Sequence, residues 1–134
     1  MPLSHHDLCF GCGVANVFGL QIELEPTDGG AGGRFFVKQD HQGEIGFLHP
    51  GVMAAALDEA MSLAVHAEGV EASRRQLELE LREPVPIGTF VALEAVIDRR
   101  EGGSLWASAA ASTPDGGARL AEARATFVVR DRSR

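Results

Sequence analysis

Cysteine is nearly absent from this 134-residue sequence, and the two present, Cys9 and Cys12, are too close together to staple a domain. A disulfide-built fold is excluded, and the scarcity agrees with a reducing compartment. Long apolar runs are missing too. No stretch approaches the roughly 20 residues that cross a bilayer, and Met1 to Leu20 lacks a basic start followed by an apolar run. The expectation is a cytoplasmic protein with no membrane partner. Positive charge is the minority sign, 12 Lys and Arg against 19 Asp and Glu, for a net charge of −7. Such a surface repels polyanions and forfeits the electrostatic gain on which nucleic-acid binding relies, so nucleic acid is a poor partner. A small anionic ligand is still allowed where a few arginines gather at one mouth. Disordered and collagen-like classes fall away at 45% hydrophobic and 23% charged residues, with no internal repeat or low-complexity tract.

What remains is enough chain for one domain with a real core, built without disulfides or metal. Residues 1–19 are rich in His, Gly and Cys and lack periodicity, so they read as an N-terminal arm with at most one helical turn. The domain is expected over residues 20–130, with a C-terminal tail at 131–134. Leu20, Ile22 and Leu24 alternate with Gln21, Glu23 and Glu25, the period of a half-buried strand, which Pro26 and Asp28-Gly29-Gly30 close. A hairpin partner follows at residues 33–39. Pro50 then opens an apolar run to Ala67, and proline suits a first helical position because no hydrogen bond is lost there. Beyond Glu71 the period returns to two in four further strands. They hold Leu77, Leu79 and Leu81; then Val91, Leu93, Ala95 and Ile97; then Ser104 to Ser112; and last Ala121 to Arg130. Strand, strand, long helix and four strands joined by tight turns belong to the α+β class with an antiparallel sheet.

The helix reads VMAAALDEAMSLAV from Val52 to Val65, apolar around nearly its whole circumference, so a curved sheet must wrap it. Asp58 and Glu59 stand out, because carboxylates are rarely buried unless paired or held for a purpose. They point about 100° apart, so one can face a site while the other meets a rim or a partner chain. One reading lets the helix expose this face to solvent. The other makes the carboxylate a base that activates water or a nucleophile that attacks an acyl carbon. The first N–H groups after His49 are unpaired donors at the positive end of the helix dipole, and Gly51 permits close approach. Pro50 and Asp58 lie about 12 Å apart along the axis at ~1.5 Å per residue, too far to grip one carbonyl together. Antiparallel helices across a dimer would remove that difficulty.

The run His49-Pro50-Gly51-Val52-Met53-Ala54-Ala55-Ala56-Leu57-Asp58-Glu59-Ala60 resembles the His-Gly-Gly, apolar, Asp signature of the PaaI-like hotdog-fold thioesterases, of the 4-hydroxybenzoyl-CoA thioesterase superfamily. His41-Gln42-Gly43, the arm segment Cys9-Phe10-Gly11-Cys12-Gly13 with Asn16, Gly19 and Leu20, and Arg82-Glu83-Pro84-Val85-Pro86-Ile87-Gly88 are similar to that family as well. The resemblance implies a hotdog fold, a curved sheet of about five to six strands around one long central helix. It also implies hydrolysis of an acyl-CoA thioester, without cofactor, in a homodimer or a dimer of dimers. Asp58 is then the base or nucleophile from one subunit. The other subunit polarises the carbonyl through a backbone N–H just after the motif histidine, His49, and through an amide side chain a few residues earlier, which Gln42 matches. The family often places a hydroxyl near the start of the strand after the helix, where Ser73 stands.

This sequence departs from the pattern at Pro50, which has no N–H to offer an oxyanion. Gly51 N–H, Val52 N–H or the Gln42 side chain are the substitutes; otherwise the protein binds acyl-CoA or an acyl chain without turning it over. A hotdog dehydratase ranks below both, since no Asp-x-x-x-x-His run occurs near the helix. The expected site is therefore Asp58, Gln42, His49 and Gly51 for chemistry, with Glu59, Val52, Ser73, Arg74 and Arg82 for substrate. Arg74, Arg75, Arg82, Arg99 and Arg100 lie near strand ends, where they can meet CoA phosphates or simply be solvated. Cys9-x-x-Cys12 with His5 and His6 offers the residue types of a zinc site, but with one CxxC the preferred reading is a structural turn and no metal. His66 is read as a capping or packing residue.

Overall fold

The structure, a computed structural model, describes residues 2–130; the tail expected at 131–134 lies outside them. The first hairpin joins β1 (Glu23–Thr27) to β2 (Gly30–Phe36) through Gly29, whose φ of 80° favours glycine. A single 3₁₀ turn (Gln39–His41) leads to α1 (Pro50–Ala67). Then come β3 (Ala72–Leu81), β4 (Phe90–Glu101), β5 (Ser104–Ser112) and β6 (Arg119–Val129). The strands form one antiparallel sheet in the order β1-β2-β4-β5-β6-β3, curved around α1, which is the α+β arrangement the resemblance implies.

Small residues let helix and sheet lie close. Ala56, Ala60 and Ala64 repeat every four positions along one stripe of α1, and Ala107, Ala109, Ala111, Ala121, Ala123 and Ala125 occupy the inner face of β5 and β6, all buried. Phe35, Leu57, Met61, Leu63, Leu105 and Phe127 fill the remaining volume at full burial. Leu20, Ile22 and Leu24 are all buried, as their alternation predicts. The first strand nevertheless starts later, at Glu23, because Gln21 turns to a φ of 50°. The N–H groups of Leu20 and Ile22 pair instead with Phe10 and Gly11 of the arm, at 2.7 and 2.9 Å.

The arm contains turns and no helix among its described residues. Leu3 N–H donates to Leu24 O at 2.7 Å, continuing the β1 edge, and Cys12 is buried against the helix side of the domain. At the opposite edge, β3 pairs only with β6 among the described residues. Leu77, Leu79 and Leu81 sit directly opposite Ala125, Ala123 and Ala121, and paired residues share a sheet face. Those leucines thus point to the inner side, yet they remain 40, 37 and 50% exposed because α1 does not reach over them.

Candidate active site

Two places on α1 carry chemistry, one at its start and one at its middle. At the start, His49 caps the helix with extended dihedrals, φ −66° and ψ 132°. The His41-Gln42-Gly43 turn holds it, since His49 N–H donates to His41 O at 2.9 Å. A Cβ on Gly43 would stand 2.9 Å from His49 Cα, so only glycine lets the two segments approach this closely. His49 Nδ1 accepts from Gly51 N–H at 2.8 Å, and His49 O accepts from Val52 and Met53 N–H at 2.9 and 3.2 Å. The donors that sequence reading offered as replacements for the missing Pro50 N–H, on Gly51 and Val52, are therefore already engaged. An accepting Nδ1 leaves the His49 ring proton on Nε2, a donor at the surface. Gln42 Oε1 accepts from Gly46 N–H at 2.5 Å, which fixes the amide plane, while Gln42 Nε2 has no partner among the described residues. A cavity of about 430 Å³ opens here, lined by Glu44, Phe47, Pro50, Met53, Leu81 and Arg82.

At the middle, Asp58 faces β3 and is half-buried. Its carboxylate accepts a hydrogen bond from Arg74 Nε. Burial lifts the Asp58 carboxyl above its ordinary value, and the Arg74 guanidinium limits the rise. Arg74 also lies 5.6 Å above the Phe127 ring. Ser73 and Arg74 line a groove of about 590 Å³ with Ser62, His66, Glu71 and Arg130. The structure thus brings Asp58 and Arg74 together, leaves Asp58 out of the lining of the groove that Ser73 and Arg74 share, and sets Gln42, His49 and Gly51 at the helix start. Arg82 is spread between Glu80 and Glu122, at 2.7 and 3.1 Å, and Arg99 stacks on Trp106 at 3.8 Å. The five arginines noted in the sequence thus do not form one ready cluster.

Glu59 takes the other direction. It is 8% exposed and turned to the arm, where it accepts from His5 Nδ1 at 2.9 Å and from the Cys9 thiol at 3.5 Å. Cys12 Sγ lies 3.6 Å from the same imidazole nitrogen. The hydrogen bond to Glu59 raises His5 to about 9 against the opposing effect of burial. Burial, reinforced by the nearby carboxylate, pushes Cys12 up to about 12. Burial alone would raise Glu59, but the hydrogen bond from His5 and those from the thiols hold it below the usual value. Sequence reading paired the cysteines with histidine and did not join them to Glu59, since 54 residues separate His5 from that carboxylate. His66 packs edge-on against His5, ring centroids 5.3 Å apart.

No family model matches the chain, and no curated protein is similar to it in sequence. Solved structures are similar in fold. A thioesterase superfamily protein superposes with a TM-score of 0.83 at 24% identity over 90% of this chain, which spans 62% of that longer protein. The PaaI protein of E. coli, from the phenylacetic acid degradation operon, gives 0.77 at 16% identity over 84% of this chain and 81% of its own. A hypothetical thioesterase from Streptococcus pneumoniae TIGR4, crystallised with coenzyme A, gives 0.75 at 16% identity over 80% of this chain and 86% of its own. The protein is accordingly a hotdog-fold protein, built like members of the thioesterase superfamily that include PaaI.

Proposed function

We propose that the protein hydrolyses an acyl-CoA thioester between two copies of itself, with Asp58 as general base or nucleophile. The observation that carries this reading is a half-buried carboxylate on a sheet-wrapped helix, paired with Arg74 of the edge strand β3. The coenzyme A held by the pneumococcal protein of the same fold supports a CoA ester as substrate. The free thiols Cys9 and Cys12 suit a reducing cytoplasm.

The second copy follows from β3. Its outer edge has no partner strand among the described residues and its leucines are partly exposed, a template for another strand. Arg74 and Arg82 lie roughly 26 Å apart at ~3.3 Å per strand residue. Antiparallel pairing of two β3 strands about an axis near Glu78 sets the helix start of one copy beside Asp58 of the other. Gln42 Nε2 and His49 Nε2–H would then replace the N–H that Pro50 lacks, polarising the thioester carbonyl while Asp58 delivers water or attacks. Arg74 and Arg130 line one groove where a CoA phosphate can be met, while Arg82 would have to exchange Glu80 or Glu122 for the ligand.

Steady-state turnover of a panel of acyl-CoA esters tests the reading. Wild type should hydrolyse at least one ester, Asp58→Ala should lose about 10²–10⁴-fold in kcat, and Gln42→Ala about 10²–10³-fold. The engagement of Gly51 N–H by His49 favours a second reading, a non-catalytic acyl-CoA binder with an incomplete oxyanion hole. Tight CoA-ester binding without turnover by wild type would establish that alternative.

A further inference from the structure

We propose that His5, Cys9, Cys12 and Glu59 form a structural site for a divalent metal ion, best matched by zinc, which clamps the N-terminal arm to the middle of α1. Each residue contributes one ligand atom, and the four atoms all lie within 4.8 Å of one another. Zinc bonds of about 2.0–2.3 Å in a tetrahedron place ligand atoms about 3.3–3.8 Å apart. Three separations in the cluster lie close to that range. His5 Nδ1 is 3.9 Å from Cys9 Sγ and 3.6 Å from Cys12 Sγ, and Cys9 Sγ is 3.5 Å from Glu59 Oε2. To admit an ion at the centre, the hydrogen-bonded pair His5 Nδ1 and Glu59 Oε2, at 2.9 Å, must part by about half an ångström, and any pair near the 4.8 Å limit must close by about an ångström.

The loop between the cysteines is built for this convergence. Gly13 N–H donates to Cys9 O at 2.8 Å, and a Cβ on Gly13 would fall 2.3 Å from Asp7 O and 2.5 Å from Cys9 N. A Cβ on Gly11 would fall 2.4 Å from Cδ of Glu59. Gly13 must be glycine for the turn to close against its own backbone, and at Gly11 a side chain would displace the Glu59 carboxylate from the cluster. A supporting shell is present as well. His5 N–H donates to Cys12 Sγ at 3.2 Å, the bond a thiolate ligand attracts. With Nδ1 on the metal, His5 Nε2 keeps its proton and can donate to Ser62 Oγ, 3.1 Å away, which fixes the ring.

Charge and coordination argue for the same class of ion. Bound as two thiolates, a carboxylate and a neutral imidazole, the ligands bring three negative charges into a place where Cys12 is 2% and Glu59 8% exposed. A dication offsets two of them. Two sulfurs, a nitrogen and an oxygen in tetrahedral array select zinc over the hard ions that prefer oxygen alone. Four protein ligands leave no position for substrate, so the ion holds structure and takes no part in chemistry. The site stands whether or not Asp58 turns over a thioester.

The test uses the full chain without a histidine tag. The only two cysteines of the chain are both in the site, so any thiolate signal reports on it alone. Metal analysis after zinc addition and dialysis should give one ion per chain. Cobalt(II) added to the reduced, chelator-stripped protein should produce a thiolate-to-cobalt charge-transfer band and intense tetrahedral d–d bands, and zinc should bleach both. Glu59→Gln, which keeps the side-chain volume, should weaken zinc at least about tenfold in a chelator competition. Cys9→Ser should abolish most of the charge-transfer intensity. A wild-type protein that binds no stoichiometric ion, or binds cobalt without a thiolate band, overturns the proposal. An unchanged zinc affinity in Glu59→Gln overturns the four-ligand site.

Discussion

Single residues differ in how far their roles can be read from sequence. Asp58 is visible there, because a carboxylate in an apolar helix needs a reason to be present, and the structure supplies a polar neighbour in Arg74. Glu59 carries the same signal, but its partners come from an arm without periodicity, so no pattern points to them. The occupation of Gly51 N–H is hidden for another reason: it depends on the rotamer of His49, which the sequence does not encode locally. Gly43 yields a residue-scale prediction. Gly43→Ala would force a methyl to 2.9 Å of the His49 backbone, where no flexible side chain can give way. We expect a loss of about 1–3 kcal/mol in folding stability by urea titration, together with reduced turnover as His49 and Gln42 shift.

His41 yields another. It is 3% exposed, its Nε2 makes no well-formed hydrogen bond among the described residues, and burial aided by the Lys38 charge lowers its affinity for a proton, with the Gly19 and Phe18 backbone and then Asp40 acting the other way. The unfolded chain takes up this proton near pH 6.5 while the folded chain resists it. The contribution of His41 is complete above about pH 6.5 and declines as the pH falls from there to its lower folded value. Urea-unfolding free energies measured from pH 7.5 to 5 should fall less steeply for His41→Gln than for wild type. Equal slopes would show that this histidine titrates alike in both states.

At the level of elements, periodicity was sufficient wherever a face was decided by burial. The helix runs from Pro50 to Ala67, as its opening proline and apolar run indicate, and the order of two strands, helix and four strands is the one observed. The exception is instructive. Leu20, Ile22 and Leu24 keep the period of a strand, but Gln21 adopts a φ of 50°, and the chain there pairs with the arm before it joins β2. Alternation records which side chains are buried and is silent about which backbone answers the hydrogen bonds. The same silence covers β3. Leu77, Leu79 and Leu81 read as a half-buried strand, and the sequence does not reveal that in a single chain these inner positions lie beyond the helix.

For the whole molecule, the proposed pairing of two copies would tie stability to self-association. Three partly exposed leucines beside an edge that has no outer partner strand among the described residues are unfavourable in an isolated chain and become favourable once a second copy covers them; uncovered, the same edge invites uncontrolled pairing. In a two-state dimer that unfolds to separate chains, each tenfold rise in protein concentration adds about 1.4 kcal/mol to the free energy of unfolding per dimer. At roughly 2.1 cal/mol/K of unfolding entropy per residue, two chains of this length should gain about 2–3 °C in Tm for each decade of concentration. Leu79→Arg places a charge at the centre of the strip, diagonally across from its own symmetry mate when two β3 strands pair about Glu78. Light scattering should report a monomer for Leu79→Arg and a dimer or larger for wild type, and the variant's Tm should no longer depend on concentration. Should wild type scatter as a monomer with a concentration-independent Tm, Asp58 at the middle of α1 and Gln42 before its start would share no carbonyl to act on.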